Sequence, residues 1–359
     1  MTSKQRVQKT FEFEKTDRVA VNYECNAGIN GRLMAHYGAK SHDELLDALG
    51  VDFRTVWYPY KGPVLHQPRE GKNVDPVWGI TTRWIEHSSG GYWDYCDFPL
   101  TEADEEAVAN YPMPNPDDFD YDYSLEMSKQ YKDYGLFCGG AGLGCVINTN
   151  GFFRGMEQTL VDLLIDEPAG MLLTKRRMDI ELAVMERMID KCHENLDIMY
   201  MGEDLGTQIA PIISPDVYRR NIKPYHKRLI DLAASYNLKV MIHTCGSSSW
   251  AYPDFIEMGV RGVETLQPEA HNMTPEYLKK TYGDKLVFHG CISTAGPLAY
   301  GTADEVEQNV KETLDIMMEA KAGTGGGYCL SPTHQIQDNT PAENVVRMYE
   351  FGKKYGVYK

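Results

Sequence analysis

The stretch KVMIHTCG, Lys239–Gly246, contains three apolar residues, Val240-Met241-Ile242, that read as a short buried strand. It delivers His243 and Cys245 at its C-terminal end, and Gly246 lets the chain turn away. Residues two apart project from the same side of a strand, so an imidazole and a thiolate can converge on one point. That is half of a site for a borderline-soft metal such as zinc. His-x-Cys alone leaves a second reading open, a hydrogen-bonded histidine beside a buried free cysteine. A third residue bears on the choice. Cys329, in GGYCLSPTH, also lies in an apparent strand end near the far end of the chain.

Working outward from this stretch, strands of similar character recur. RVAVNY (Arg18–Tyr23), VDFRTVW (Val51–Trp57), LFCGGAGLG (Leu136–Gly144) and IMYMGED (Ile198–Asp204) precede it. GVRGVETL (Gly259–Leu266), KLVFHGCIS (Lys285–Ser293) and GGYCLS (Gly326–Ser331) follow. Helical patterns separate them, with start signals at Ser41, Ser214-Pro215, Thr274-Pro275, Thr302-x-x-Glu305 and Thr340-Pro341. A first helix over Thr2–Phe13, capped by Thr2 or Ser3, precedes the first strand. Eight strands alternating with helices point to a parallel α/β protein, and eight such units are what a closed (β/α)8 TIM barrel needs. An open doubly wound sheet is the alternative, but no GxGxxG or Walker-type loop supports it.

The polar residues decide between the two. Glu203, Asp204, His243, Cys245, Glu264, His289, Cys329 and His334 all fall at or just after C-terminal strand ends. In a barrel those ends share one face, and that face carries the chemistry. The expected architecture is one TIM-barrel domain over residues 1–359, with an N-terminal helical extension and a β-hairpin insertion at about 73–122. The insertion, VWGITTRWIEHSSGGYWDYCDFPL, is rich in Trp, Tyr, Thr and Gly, with a turn expected at Gly90-Gly91. Its aromatics pack onto the host or form a lid for an aromatic or methylated substrate. Trp57, Tyr58 and Tyr60, just past a strand end, are better placed for substrate contact.

Composition sets the compartment and the partners. A chain of 359 residues with 42% hydrophobic residues can bury a large core, and no stretch approaches a membrane span. The formal net charge of −16 argues against nucleic acid and anionic membranes as partners. The polar, helical-looking N-terminus lacks a signal peptide's apolar region, and the eight cysteines show no disulfide-scaffold spacing. A reducing cytoplasm is the expected setting.

Four motifs carry a family resemblance. They are GEDLGTQIAPIISPDVYRRNIKPYHKRLID (Gly202–Asp231), HTCG (His243–Gly246), FHGCIST (Phe288–Thr294) and GGYCLSPTHQIQDNTPAENV (Gly326–Val345). With them the chain resembles the uroporphyrinogen decarboxylase superfamily, in its zinc-dependent, corrinoid-linked methyltransferase branch. The decarboxylases of that superfamily share an arginine-bearing RQAGRY-like stretch near the N-terminus. Here the region reads NYECNAGINGRL (Asn22–Leu33), with Arg32 alone. The resemblance implies zinc on His243, Cys245 and Cys329, with Glu264 as the fourth ligand and Cys291 or water as alternatives. It also implies a corrinoid carried by a partner protein.

The remaining site expectations complete the set. Glu203 joins His243, Cys245 and Cys329 in catalysis, while Trp57, Tyr60, Asp204, Gln208 and His334 contact substrate. The favoured reaction is O-demethylation of an aryl methyl ether with transfer to the corrinoid. Transfer from a methylcorrinoid to a thiol such as coenzyme M, a tetrapyrrole-type decarboxylation and a non-catalytic zinc scaffold are the alternatives. A monomer and a homodimer are both open.

Overall fold

The computed structural model describes residues 1–87, 90–319 and 326–358. In chain order its strands are β1 (Ala20–Val21), β2 (Phe53–Val56), β3 (Asn73–Val74), β4 (Thr81–His87), β5 (Gly90–Tyr95) and β6 (Gly135–Gly139). Then come β7 (Ile198–Gly202), β8 (Lys239–His243), β9 (Gly262–Glu264), β10 (Val287–Ile292) and β11 (Tyr328–Pro332). Eight of them form one parallel sheet in the order β1-β11-β10-β9-β8-β7-β6-β2, so every strand after the first two pairs with its sequence neighbour. β1 lies beside β11 in parallel register, Ala20 opposite Cys329 and Val21 opposite Leu330, as a barrel requires and an open doubly wound sheet does not.

The remaining seam lies between β1 and β2, and a carboxylate closes it. The Asp52 N–H donates to Val21 O at 2.8 Å, and the Val21 N–H donates to Asp52 Oδ2 at 2.9 Å. Arg6 and Arg18 each approach the same carboxylate at 2.7 Å, and Ser3 Oγ donates to it at 2.8 Å. Arg6 sits on helix Ser3–Phe11, which starts with a capping box between Thr2 and Gln5. This helix also lies close on β6, because a Cβ on Gly135 would stand 2.6 Å from Val7 Cγ2. The N-terminal extension is therefore the floor of the barrel.

Inside, Phe53 and Phe137 stack with centroids 4.8 Å apart, and His289 sets an edge against Phe53 at 5.8 Å. β2 and β10 are not neighbours, so this last contact crosses the barrel interior. Alternation along the strands is weak because parallel strands are buried on both faces. β6, β7, β10 and β11 are buried at every position.

The insertion makes a separate antiparallel sheet, β3-β4-β5, to which Asn73–Val74 adds a third strand beside the expected hairpin. Gly90 and Gly91 are not its turn. They pair with His87 and Glu86 as the first residues of β5, and residues 88–89 between the strands lie outside the described residues. Trp84 opposes Trp93 across the ladder with ring centroids 5.5 Å apart. Tyr95 stacks on Phe152 at 3.6 Å, which ties the insertion to the helix that follows β6. Among the described residues no helix is long and apolar enough to cross a membrane.

Replacing Asp52 with alanine should leave Arg18 without its carboxylate and Arg6 with Asp17 alone, and open the seam, costing about 3–5 kcal/mol as for other broken buried ion pairs. Urea denaturation followed by circular dichroism measures this. A loss below about 1 kcal/mol would mean that the seam closes without the carboxylate.

Candidate metal centre

His243 is the last residue of β8, and Cys245 follows two positions later in the turn that opens at Gly246. Gly246 has φ +69, and a Cβ there would stand 2.2 Å from Gly206 O, so both conformation and space require glycine. The turn is pinned from two sides. The Cys245 N–H donates to Asp204 Oδ1 at 2.9 Å, and the Gly246 N–H donates to Gln267 Oε1 at 2.6 Å.

One ring nitrogen of His243 is already engaged. Glu264 Oε2 lies 2.5 Å from Nδ1, and Thr265 Oγ1 lies 2.8 Å from the same atom. The Tyr200 hydroxyl donates to Glu264 at 2.8 Å, and Thr265 Oγ1 donates to it at 2.9 Å. Thr265 adopts φ +65, an unusual conformation for a β-branched residue and a local strain that the surrounding contacts hold in place. Burial alone would push the His243 imidazole down, but Glu264 and Cys245 together outweigh it and hold the pKa well above the ordinary value. Burial would likewise lift Glu264, yet His243 draws it down to about 2. The pair shares its hydrogen bond at Nδ1, and the other nitrogen, Nε2, where a metal ion would take the place of a proton, faces Cys245 Sγ at 3.4 Å.

The third donor, His334, stands two residues past the end of β11. Donor atoms of His243, Cys245 and His334 all lie within 4.8 Å of one another. A tetrahedral zinc with ordinary bond lengths separates a nitrogen and a sulfur ligand by about 3.5 Å, close to the His243–Cys245 spacing. Two imidazoles, one thiol and a fourth position for water or substrate make up the donor set of an open zinc site. Burial and the neighbouring His243 both push the His334 imidazole down, which favours the neutral form that binds metal. Burial pushes the Cys245 thiol up to about 11, with His243 pulling the other way, so a bound cation would favour its thiolate.

The structure thus assembles a different triad from the one read in the sequence. Cys329 is the second residue of β11, in register with Ala20 and His289 and within the electrostatic reach of Asp52 at the barrel floor. His334 stands two residues beyond the other end of that strand, level with the mouth. Glu264 is held against Nδ1, on the far side of the His243 ring from Cys245, so it orients the imidazole and is not among the three clustered donors. Cys291, buried within β10 at φ +74, is also outside the cluster.

The other expected residues divide in the same way. Glu203 is fully buried and accepts N–H bonds from Val146 at 2.7 Å and Ile147 at 3.0 Å. It holds the start of helix Ile147–Arg154 and does not face the mouth as a catalytic group. Asp204 does border the donors, with Oδ1 3.7 Å from His243 Nε2. Gln208 is exposed and contributes a backbone carbonyl to His271. Tyr60 packs its ring against Phe119 and donates to Pro63 O, and it lines none of the three cavities that Trp57 borders.

Trp57 borders three cavities, of about 580, 410 and 390 Å³. The largest lies between the insertion and the barrel, walled by Trp57, Tyr58, Trp78, Tyr95, Phe119 and Phe152. The smallest runs past Tyr200 to Gln335, next to the metal centre. Tyr200, Thr265 and Glu24 escaped the reading of the sequence. Tyr200 and Thr265 act through side chains that converge from β7 and the end of β9, a proximity with no signal in the sequence. Glu24 followed a strand end like the other site residues and could have been found by that rule.

A family model described as Uroporphyrinogen decarboxylase (URO-D) matches residues 162–355, more than half of the chain. The chain belongs to this family. Its match includes β7 to β11, and with them all three clustered donors. A curated relative, the methylcobamide:CoM methyltransferase MtbA of Methanosarcina acetivorans, is 24% identical over 177 residues. That alignment covers 49% of this chain and 47% of the relative, so the chain spans less than half of that protein's length. A solved structure described as a methyltransferase from Methanosarcina mazei superposes with a TM-score of 0.64 at 17% identity, covering 99% of both chains. That likeness shows the fold, a TIM barrel.

The three-donor cluster makes a direct prediction about metal content. After loading with zinc and dialysis, the unaltered chain and Cys329→Ala should retain about one zinc per chain, whereas His334→Ala and Cys245→Ala should lose most of it. Glu264→Gln should weaken zinc binding by about 10–100-fold through the orientation of His243. Atomic absorption with circular dichroism checks both. Metal lost from Cys329→Ala and kept by His334→Ala would restore the triad read from the sequence.

Proposed function

We propose that this chain is a zinc-dependent methyltransferase that moves a methyl group between a small methylated substrate and a corrinoid carried by a partner protein. The observation that carries the reading is the convergence of His243, Cys245 and His334 at the C-terminal mouth of the barrel. A structural zinc is ordinarily closed by four protein ligands, whereas three donors at the catalytic face leave a position for substrate. The name of the Methanosarcina acetivorans relative supports methyl transfer.

Zinc held by these residues would act as a Lewis acid on the substrate heteroatom that carries or receives the methyl group. With one thiolate in place of the two expected, such a site keeps a net positive charge and polarises a neutral oxygen more strongly. The chain's own groups do the rest. Glu264, steadied by Tyr200 and Thr265, holds the His243 ring in one orientation. Asp204 fixes the Cys245 backbone. Trp57 separates the aromatic-walled cavity from the space beside the metal centre and can position a flat substrate at their junction.

Those aromatic walls favour an aryl methyl ether as methyl donor, with O-demethylation as the direction of transfer. A second reading, transfer from a methylcorrinoid to a thiol of the coenzyme M type, draws on the printed activity of the relative. Decarboxylation of a polyanionic tetrapyrrole is disfavoured, because Arg32 of the N-terminal stretch is exposed and donates to Asp338 O.

Absorbance of the corrinoid separates these readings. Zinc-loaded protein mixed with reduced corrinoid and methoxyaromatics should give the methylcorrinoid spectrum, and Cys245→Ala should abolish it. Demethylation of methylcorrinoid by a thiol, with no reaction of any methoxyaromatic, would replace the first reading by the second. No transfer in either direction would leave a non-catalytic zinc scaffold.

A further inference from the structure

We propose that Glu24 is the proton donor to the leaving oxygen of the methyl donor, an assignment that rests on the O-demethylation reading above. Glu24 lies three residues past β1, at the same C-terminal rim that carries His243 and His334. Its side chain borders both the 410 and the 390 Å³ cavities, in the company of Tyr23, His42, Thr55, Trp57 and Tyr200.

Among the acidic groups around the mouth it stands apart. Glu203 is committed to a helix start, Glu264 to His243, and Asp204 to Cys245 and Asn148. The Glu24 carboxyl has neither a hydrogen bond nor an ion pair among the described residues, although its own backbone carbonyl is held by the Ile336 N–H at 3.0 Å. Glu24 is half-buried, and an unpartnered carboxyl lining two open cavities is placed to meet a ligand there. Burial first, and then the Glu264 charge, push it up to about 8, against a smaller opposing pull from His243. A carboxyl in that range holds a proton at neutral pH and can still give it up.

The step balances as follows. The reduced corrinoid, as co-substrate, supplies the electron pair of the new bond to the methyl carbon. The carbon–oxygen bond breaks with its pair going to oxygen, and the Glu24 proton passes to that oxygen. The products are the methylated corrinoid, the free phenol and the Glu24 carboxylate, which takes a proton back from water. Tyr200 stands on the same two cavities but donates its hydroxyl to Glu264, so it is not available for this task.

The test uses the full chain loaded with zinc, free cob(I)alamin as acceptor, and methoxybenzenes whose phenol products span a graded acidity. A general acid matters most where the leaving phenolate is most basic. Glu24→Gln should therefore slow the most basic leaving group by about 10²–10⁴-fold, with the loss shrinking steadily toward the most acidic phenol. Glu24→Asp should recover part of the rate with the basic leaving groups. Zinc content and the thermal melting curve, read on the same variants, should match those of the unaltered chain. A Glu24→Gln effect that is uniform across the series, or absent, would overturn the assignment while leaving the demethylation reading intact. An unaltered chain that demethylates none of the series would overturn both.

Discussion

The Asp52 carboxylate, sunk between Arg6 and Arg18, takes the place of a strand partner where the sheet meets itself. Parallel strands cannot turn directly into their neighbours, so a barrel closes only when the first strand reaches both the last and the second. β1 has just two ladder residues and pairs with β11. Its other edge would be left with unmet backbone groups, and a buried N–H without a partner is rarely tolerated. Asp52 satisfies the Val21 N–H with its side chain, and its own N–H satisfies the Val21 carbonyl. The charge that this places in the interior is tolerated because two guanidinium groups and the Ser3 hydroxyl surround it.

Closure is what makes the mouth. The last residue of β8 and the residue two beyond β11 come from distant parts of the chain, yet around a closed barrel their side chains meet. The polarity of the assembly follows from which nitrogen is taken first. Because Glu264 and Thr265 occupy Nδ1, Nε2 is turned toward Cys245. A histidine whose second nitrogen bonds a carboxylate is a stiffer and more basic ligand than a free one. The strained backbone at Thr265 is consistent with that constraint, since a relaxed φ would move its hydroxyl away from both Glu264 and His243.

The insertion sheet adds a wall that the barrel alone lacks. Its contacts with the barrel run through the Tyr95–Phe152 stack and through the cavity that both share, next to the glycine-rich loop after β6. Trp57 borders this cavity and the two that reach Tyr200, whose hydroxyl lies 3.3 Å from His243 Nδ1. Within one URO-D family fold, a wall of this kind is where substrate preference can change without disturbing the strand ends that carry the three clustered donors.

The sequence by itself determined the strand–helix alternation, the eight strands, their order around the barrel and the face on which the chemistry lies. These follow from short-range signals: apolar runs of strand length, caps such as Ser41 and Thr302 with their third-position glutamates, and polar residues just past strand ends. His243 and Cys245 were legible for the same reason, because their spacing is local. What only the tertiary structure decided was which distant residue joins them. Cys329 and His334 are five positions apart on one segment, and choosing between them requires knowing that β11 ends at Pro332. A strand rises about 3.3 Å per residue, so the three strand positions from Cys329 to Pro332 alone carry the chain about 10 Å toward the mouth before it turns to His334. Glu264 shows the same limit more finely. Its presence beside the metal centre was readable from the strand pattern, but its place against Nδ1 depends on the packing of β7, β8 and β9, where a shift of one residue would turn the side chain out of the barrel.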